Sequence, residues 1–467
     1  MNHNDVYQSK LGTPEGALDL VRSGDTIACS IYGNEPSYFV SHLHTIADRV
    51  EGVTLWTMLM MGDYPVMNDD SLKGKIDIYT WFYNEDCRRG HMSSRYHMVP
   101  LNLHSGGETM VRTRRPTIFV AAVSPMDRHG NVFLSFDLQS SLECLEAADC
   151  VIFEVNSNIP RVFGRTPVPI ELADYIYEVD TPLPHAPVYP STSTEKRIAE
   201  YVSSLIRDGD CIQLGIGGMP NAVGEALIRK KDLGIHTEMI TSSMGKLLRA
   251  GVVTNRRKNF NPGKTIGAFA WGDDSLYDYL AENPAVQMMP ASYVNDPFNI
   301  AQNDNMVSVN TAIELDLTGQ VCSESIGPLQ YSGTGGASDF AYGAFHSKGG
   351  RGIIALASTA KDGSISKIKA QLTPGAIVSI SRNLTDYIVT EYGIARMRDR
   401  SVRQRVDNLI AIAHPDFRAE LRKQAIAVSP MTILSPWNTS GFCSSSTQSR
   451  RDIPSSALRT NTAAGSH

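Results

Sequence analysis

Short β-rich runs alternate with helical patterns along most of this chain, and that rhythm constrains the fold more than any other feature. The runs TIFVAAVSP, CVIFEVN, CIQLGIG, GIIALAS and DYIVTEYG are nearly all apolar, and each ends in Gly, Ser, Pro or Asn. Strands of this kind, separated by helices, predict an α/β protein with mainly parallel sheets. At 467 residues the chain is too long for one ordinary domain, so two open α/β domains in tandem are expected. A Pro-rich stretch, DTPLPHAPVYPSTSTEKRIAEYV, separates a strand at 151–156 from a helix near 195 whose start a Thr or Ser can cap. It places the boundary near residue 185, giving domains over 1–185 and 186–435. The remainder, 436–467, is rich in Ser, Thr and Asn and poor in periodic apolar residues, as in a disordered tail. Ser23-Gly24-Asp25 and Asp208-Gly209-Asp210 both lie between a helical pattern and a β-run, an echo that fits two similar domains.

Charge and cysteine usage exclude several function classes. The formal charge is only −6, with acids and bases interspersed, which argues against nucleic-acid and membrane-surface binding. There is no run of about 18 apolar residues. The start, MNHNDVYQSK, lacks a signal-peptide core, so a soluble cytoplasmic protein is expected. The seven cysteines are scattered without a CxxC pair, and the twelve histidines show no HExxH spacing. Free thiols and no metal site are the expectation. The expected partners are small molecules and further copies of the chain.

Two glycine clusters stand where chemistry is expected. In CIQLGIGGMPNAVGEALI a strand runs into Gly215-Ile216-Gly217-Gly218-Met219-Pro220 and then a helix, whose N-terminal amides can face an anion or a carbonyl oxygen. In GIHTEMI, Glu238 lies among β-branched and apolar residues at about the position where a dinucleotide fingerprint has its ribose-binding acid. The third glycine of that fingerprint is absent, however, and Pro220 stands in its place. The second cluster, Gly333-Thr334-Gly335-Gly336, gives a site two turns from which backbone N–H groups can reach a reacting carbonyl. Asp127-Arg128-His129-Gly130 has no accompanying GxSxG and reads as a turn before a strand.

The stretches SPMDRHGNVFLS, EVNSNIPRVFG, QLGIGGMPNAV, GIHTEMI, AQNDNMVSVNTAIELDLTGQVCSESIG, YSGTGGASDFAYGA, STAKDGSIS, SRNLTDYIVTEYGIA and LIAIAHPDFRAELRK occur in this order. Together they resemble the acetyl-CoA hydrolase/CoA-transferase family, most nearly its 4-hydroxybutyrate and butyrate CoA-transferase branch. The resemblance runs from about residue 10 to 425 and implies two CoA-transferase-type α/β domains. It implies that Glu238 is a nucleophile that forms a mixed anhydride and then a glutamyl-CoA thioester. It further implies CoA contacts at Gly215, Ile216, Gly217, Gly218, Met219, Ile313 and Gly336. Gly335 and Gly336 become the oxyanion donors, and Lys361, with help from Lys367, meets CoA phosphates. Coenzyme A is then a substrate, with no permanently bound cofactor, and the family implies a homodimer or homotetramer. GNEPSYFV, residues 33–40, with Glu35 and Tyr38, is the expected acyl-pocket lining on fold analogy.

The chain departs from the family pattern just after the nucleophile. Ser-Asp-Gly-Val-Val-Asp-Leu is usual there, whereas this chain reads Thr241-Ser242-Ser243-Met244-Gly245-Lys246-Leu247. Ser243 does not take a positive φ as readily as glycine, so a differently shaped turn is expected. Tyr342 and Ala357 also replace the usual Arg and Pro. Three alternatives to transfer stay open at this point: an acyl-CoA hydrolase, an NAD-dependent oxidoreductase built on Gly215–Gly218 and Glu238, and an acyl-CoA sensor without turnover.

Overall fold

The computed structural model describes residues 2–187, 190–215 and 217–428, without the side chains of 427 and 428. Ile216 and the segment 436–467 lie outside the described residues. Two sheets dominate. The first contains β1 (Thr26–Cys29), β2 (Val53–Trp56), β3 (Ile76–Thr80), β4 (Tyr96–Met98), β5 (Ile118–Val123), β6 (Cys150–Asn156) and β7 (Tyr175–Val179). Their spatial order is β4-β3-β2-β1-β5-β6-β7, parallel throughout. The second contains β8 (Cys211–Leu214), β9 (Gly234–Thr241), β10 (Thr265–Trp271), β11 (Val286–Met288), β12 (Met306–Thr311), β13 (Arg351–Ala355), β14 (Tyr387–Thr390) and β15 (Gly393–Arg396). Its order is β11-β10-β9-β8-β12-β13-β14-β15, with only the last pair antiparallel. In each half the first strand is central and the chain builds outward on one side before crossing to the other.

The α/β architecture with two mainly parallel sheets is therefore the one expected, and its cause is visible in the strands. Every residue of β5 is buried, as is every residue of β10 except Trp271. Sheets covered by helices on both faces need such near-continuous apolar runs. The Asp-containing echo also has a shared structure: Gly24 and Gly209 take φ of 83° and 86°. The carboxylates of Asp25 and Asp210 accept hydrogen bonds from the amides of Arg22 and Arg207, three residues back. Helix α1 (Ser193–Leu205) leads into the second sheet. Thr192 caps it, with Glu195 completing a reciprocal capping box.

The two halves are joined at backbone level. The upper part of β10 pairs with the first half of the chain: Ala270 N donates to Phe136 O and Leu138 N to Ala268 O, both at 2.9 Å. Gly164 pairs with Met288 at the end of β11, where a Cβ would lie 2.0 Å from the Met288 carbonyl oxygen. The main hydrophobic core runs through this seam, placing Tyr32, Trp56 and Trp81 in the same cluster as Phe269 and Met239. No helix among the described residues is long and apolar enough to cross a membrane, and none of their acid, His and Cys clusters could hold a metal.

Candidate active site

Glu238 sits within β9, between the buried Thr237 and Met239, and is itself partly exposed. Its Oε2 accepts a 3.0 Å hydrogen bond from Asn295 Nδ2, and the Gly336 backbone lies against the same carboxylate. Burial pushes the carboxyl up to about 7, against the lowering effect of the Asn295 amide. The negative charge of Asp339 pushes the same way as burial, while the Gly336 amide opposes it. The group thus titrates near neutrality: ionised often enough to attack, and poorly solvated enough to be reactive.

Each contact to Glu238 is positioned by a recognisable device. Asn295 follows the short helix Ala291–Val294 and donates its own N–H to the Ala291 carbonyl. His236, two residues before Glu238 on the same strand, has Nε2 2.8 Å from the Val294 carbonyl. Burial, then the charge of Lys258, lower His236 to about 3, so the ring stays neutral and its Nε2–H donates. Gly336 begins α2 (Ala337–His346) as its N-cap residue. A Cβ on Gly336 would lie 1.8 Å from Glu238 Oε2 and 2.3 Å from Asn295 Nδ2. Only glycine permits that approach.

The second glycine loop is braced from both halves. Thr334 and Ser379 hydroxyls donate to Glu324 Oε1 at 3.0 and 2.8 Å. Gly335 has φ of 55° and faces Phe82, and Gly333 lies against the Trp81 carbonyl. Asp339, on the first turn of α2, holds His104 of the first half through its backbone N–H at 3.1 Å and its Nδ1 at 2.8 Å. The loop that touches Glu238 is therefore clamped to the first half of the chain by Trp81, Phe82 and His104.

The first glycine loop follows β8. Gly215 N donates to Val309 O at 3.0 Å, Gly217 has φ of 107°, and Gly218 opens a helix running to Ala226. Met219 is buried, and a Cβ on Gly218 would meet Glu195 Oε1 at 2.6 Å. Ile313 is partly buried beyond β12, its N–H donating to the Cys322 carbonyl. Lys361 is exposed in a turn between two short strands, with φ of 48°. The backbone and side chain of Lys367 are partly enclosed, and burial lowers its ammonium group while Glu391 opposes this. After Glu238, β9 runs directly into the helix Ser242–Arg249, and Ser243 has no positive φ. Of the proposed lining segment, Glu35 accepts bonds from Met61 N and Gly62 N and from the Tyr64 hydroxyl. The Tyr38 hydroxyl instead donates to Glu15, and its ring stacks on His42. Asp127 Oδ1 accepts from the amides of His129 and Asn131, a plain turn.

Comparison with known proteins bears on this geometry. An acetyl-CoA hydrolase/transferase N-terminal domain matches residues 1–187, and the corresponding C-terminal domain matches 272–425. The chain belongs to the acetyl-CoA hydrolase/transferase family. Within this acetyl-CoA hydrolase/transferase family, it is 42% identical over 425 residues to the succinyl-CoA:cyclohexane-1-carboxylate CoA transferase of Geobacter metallireducens. That match covers 91% of this chain and 97% of the relative. The 4-hydroxybutyrate coenzyme A transferase of Clostridium kluyveri is 37% identical over 91% of this chain and 99% of its own. The branch suggested by the motifs thus shares less identity with the chain than the cyclohexane-carboxylate enzyme does. The crystal structure of RipA from Yersinia pestis superposes with a TM-score of 0.87 at 36% identity, covering 92% of this chain and 99% of that one. The motifs single out Glu238 and the two glycine loops, and the structure brings Gly335 and Gly336 of the second loop against Glu238; they do not point to Asn295, Phe82 or the His104–Asp339 pair.

Proposed function

We propose that the protein is a CoA-transferase that moves CoA between a short-chain acyl-CoA of the butyryl or 4-hydroxybutyryl type and a carboxylate such as acetate. The observation that carries this reading is Glu238, a carboxyl raised to about 7 that accepts from the Asn295 amide and lies against the Gly336 backbone. A glutamate oxygen attacks the thioester carbonyl, the C–S bond breaks, and a mixed anhydride and CoA thiolate result. The thiolate then attacks the Glu238 carbonyl carbon, expelling the first acid and leaving a glutamyl-CoA thioester. An acceptor carboxylate attacks that thioester, and the returning thiolate takes up the new acyl group and frees Glu238.

The Asn295 amide and the Gly336 backbone lie against the Glu238 carboxyl already in the resting protein, so they are placed to stabilise the oxyanion formed when thiolate or acceptor attacks that carbon. Gly335 belongs to the same turn. Gly215, Gly217, Gly218, Met219, Ile313 and Gly336 line the path of CoA, with Lys361 at its phosphates. The two halves of the chain, divided near residue 185, form the two walls of one cleft, in a cytoplasmic homodimer or homotetramer. Water must be kept from the anhydride, and the Trp81–Phe82 segment closing over the second glycine loop serves that end.

Brief incubation with butyryl-CoA without acceptor, followed by intact-mass and peptide mapping, tests the proposal. A CoA-sized adduct on the 234–247 peptide, absent from Glu238→Ala, is expected. Saturable binding without an adduct would sink the covalent route. CoA release that is as fast without acetate as with it would make the protein a hydrolase.

A further inference from the structure

Tyr32 has features that its packing role alone does not require. Its φ is 54°, a left-handed value that is a rarity for a bulky aromatic residue. The surrounding loop imposes it. Ile31 N donates to Asp137 Oδ2 at 2.9 Å, and the Asn34 side chain spans two segments, donating to Ala122 O and accepting from Phe136 N, both at 2.6 Å. So held, the ring stacks on Phe269 with centroids 4.7 Å apart and leans against Trp271 at 5.7 Å. The residue is fully buried, yet its hydroxyl makes no hydrogen bond among the described residues. Backbone strain persists where the surroundings over-determine it, and such residues cluster at functional sites.

Other buried polar groups share the deficit. Trp56 Nε1, Thr57 Oγ1, Trp81 Nε1, Gln139 Oε1 and Trp271 Nε1 are also buried without a partner among the described residues. Tyr32, Trp56, Thr57 and Trp81 lie at or just beyond the carboxyl ends of β1, β2 and β3, and Trp271 ends β10. That edge is where open α/β sheets bind ligands. Buried polar atoms are nearly always paired, so a group of orphans at one edge asks for an occupant. All but the Gln139 oxygen can donate, so the occupant has to bring acceptor oxygens. Burial, and next the Glu238 charge, push the Tyr32 hydroxyl well above its ordinary value, so it remains a donor at every working pH.

The Asn295 amide already serves the Glu238 carboxyl, whereas the Tyr32 hydroxyl has no partner among the described residues. We propose that Tyr32 is a specificity-determining residue of the acyl pocket, its hydroxyl donating to an oxygen on the acyl chain beyond the reacting carbonyl. The preferred acid then carries a hydroxyl or a second carboxyl group, because a bare hydrocarbon chain leaves the buried donor unpaired. This inference rests on the transferase reading and narrows its substrate class.

Tyr32→Phe removes only the oxygen and keeps the ring on Phe269. With acetyl-CoA as donor, kcat/KM for 4-hydroxybutyrate and succinate should fall at least tenfold in this variant, while butyrate changes by less than twofold. Equal losses for all acids would overturn the proposal and put the hydroxyl at the reacting carbonyl. No change for any acid, or a wild-type preference for butyrate, would also overturn it. A second measurement does not need turnover: equilibrium binding of 4-hydroxybutyryl-CoA and butyryl-CoA to Glu238→Gln protein, with and without Tyr32→Phe. The affinity ratio should shift tenfold toward butyryl-CoA, and an unchanged ratio overturns the inference whatever the enzyme assay gives. If wild type turns over no acid while the ratio shifts, the transferase reading fails and the pocket assignment stands.

Discussion

In the proposed mechanism Glu238 attacks as a carboxylate, yet the site disfavours its charge. With the carboxyl raised to about 7, kcat/KM should climb as pH rises through that value and level off above it, which a pH–rate profile checks. The same shift has a cost in stability. A folded-state value above the unfolded one means that the native protein binds the proton more tightly, so stability falls as pH rises from about 4.5 to 7. Glu238→Gln should therefore be more stable than wild type at pH 8, by about 1–3 kcal/mol, with the difference vanishing near pH 4; thermal melts at both pH values test it. Gly336→Ala drives a methyl group into the carboxylate and its amide partner, and should lower kcat by about 10²- to 10³-fold with the fold retained by circular dichroism. Glu238 and Gly336 were legible in the sequence because each lies in a compact local pattern. Asn295 and Tyr32 were not: they reach the site from distant points of the chain, and no local pattern marks an amide or a ring for that role.

Among the elements, the strand-to-helix passage after Glu238 accommodates the serine that replaces the family glycine. Thr241 and Ser243 share a 2.9 Å hydroxyl contact and the helix starts at once. The first helical residues need no positive φ, so serine fits there without strain. The capping signal before α1 was readable because it is wholly local, and Thr192→Ala should cost about 1 kcal/mol, seen as a lower urea midpoint at unchanged slope. Glu195 of that cap abuts Gly218, so the same variant should also raise KM for acyl-CoA, whereas a cap of purely structural value would leave KM unmoved.

At the scale of the whole molecule, the two halves repeat one strand order, and the paired Asp-containing turns made that repetition visible before the structure did. The pairing of residues 136–138 with β10 was hidden, because its partner lies some 130 residues onward and no local pattern marks it. Gly164→Val tests the second junction. Its φ of 131° and the nearby Met288 carbonyl leave no room for a side chain, so melting temperature and turnover should fall together. A variant that loses neither would show that this junction is dispensable.

The borrowed pairing along β10 also bears on what happens if the protein is cut in two. Residues 268–271 would then present bare N–H and C=O groups flanked by Phe269 and Trp271, an unprotected edge open to any other extended chain. Released by proteolysis or expressed alone, the second half would be prone to aggregate. Supplied together with the first, it should recover its missing neighbour and dissolve.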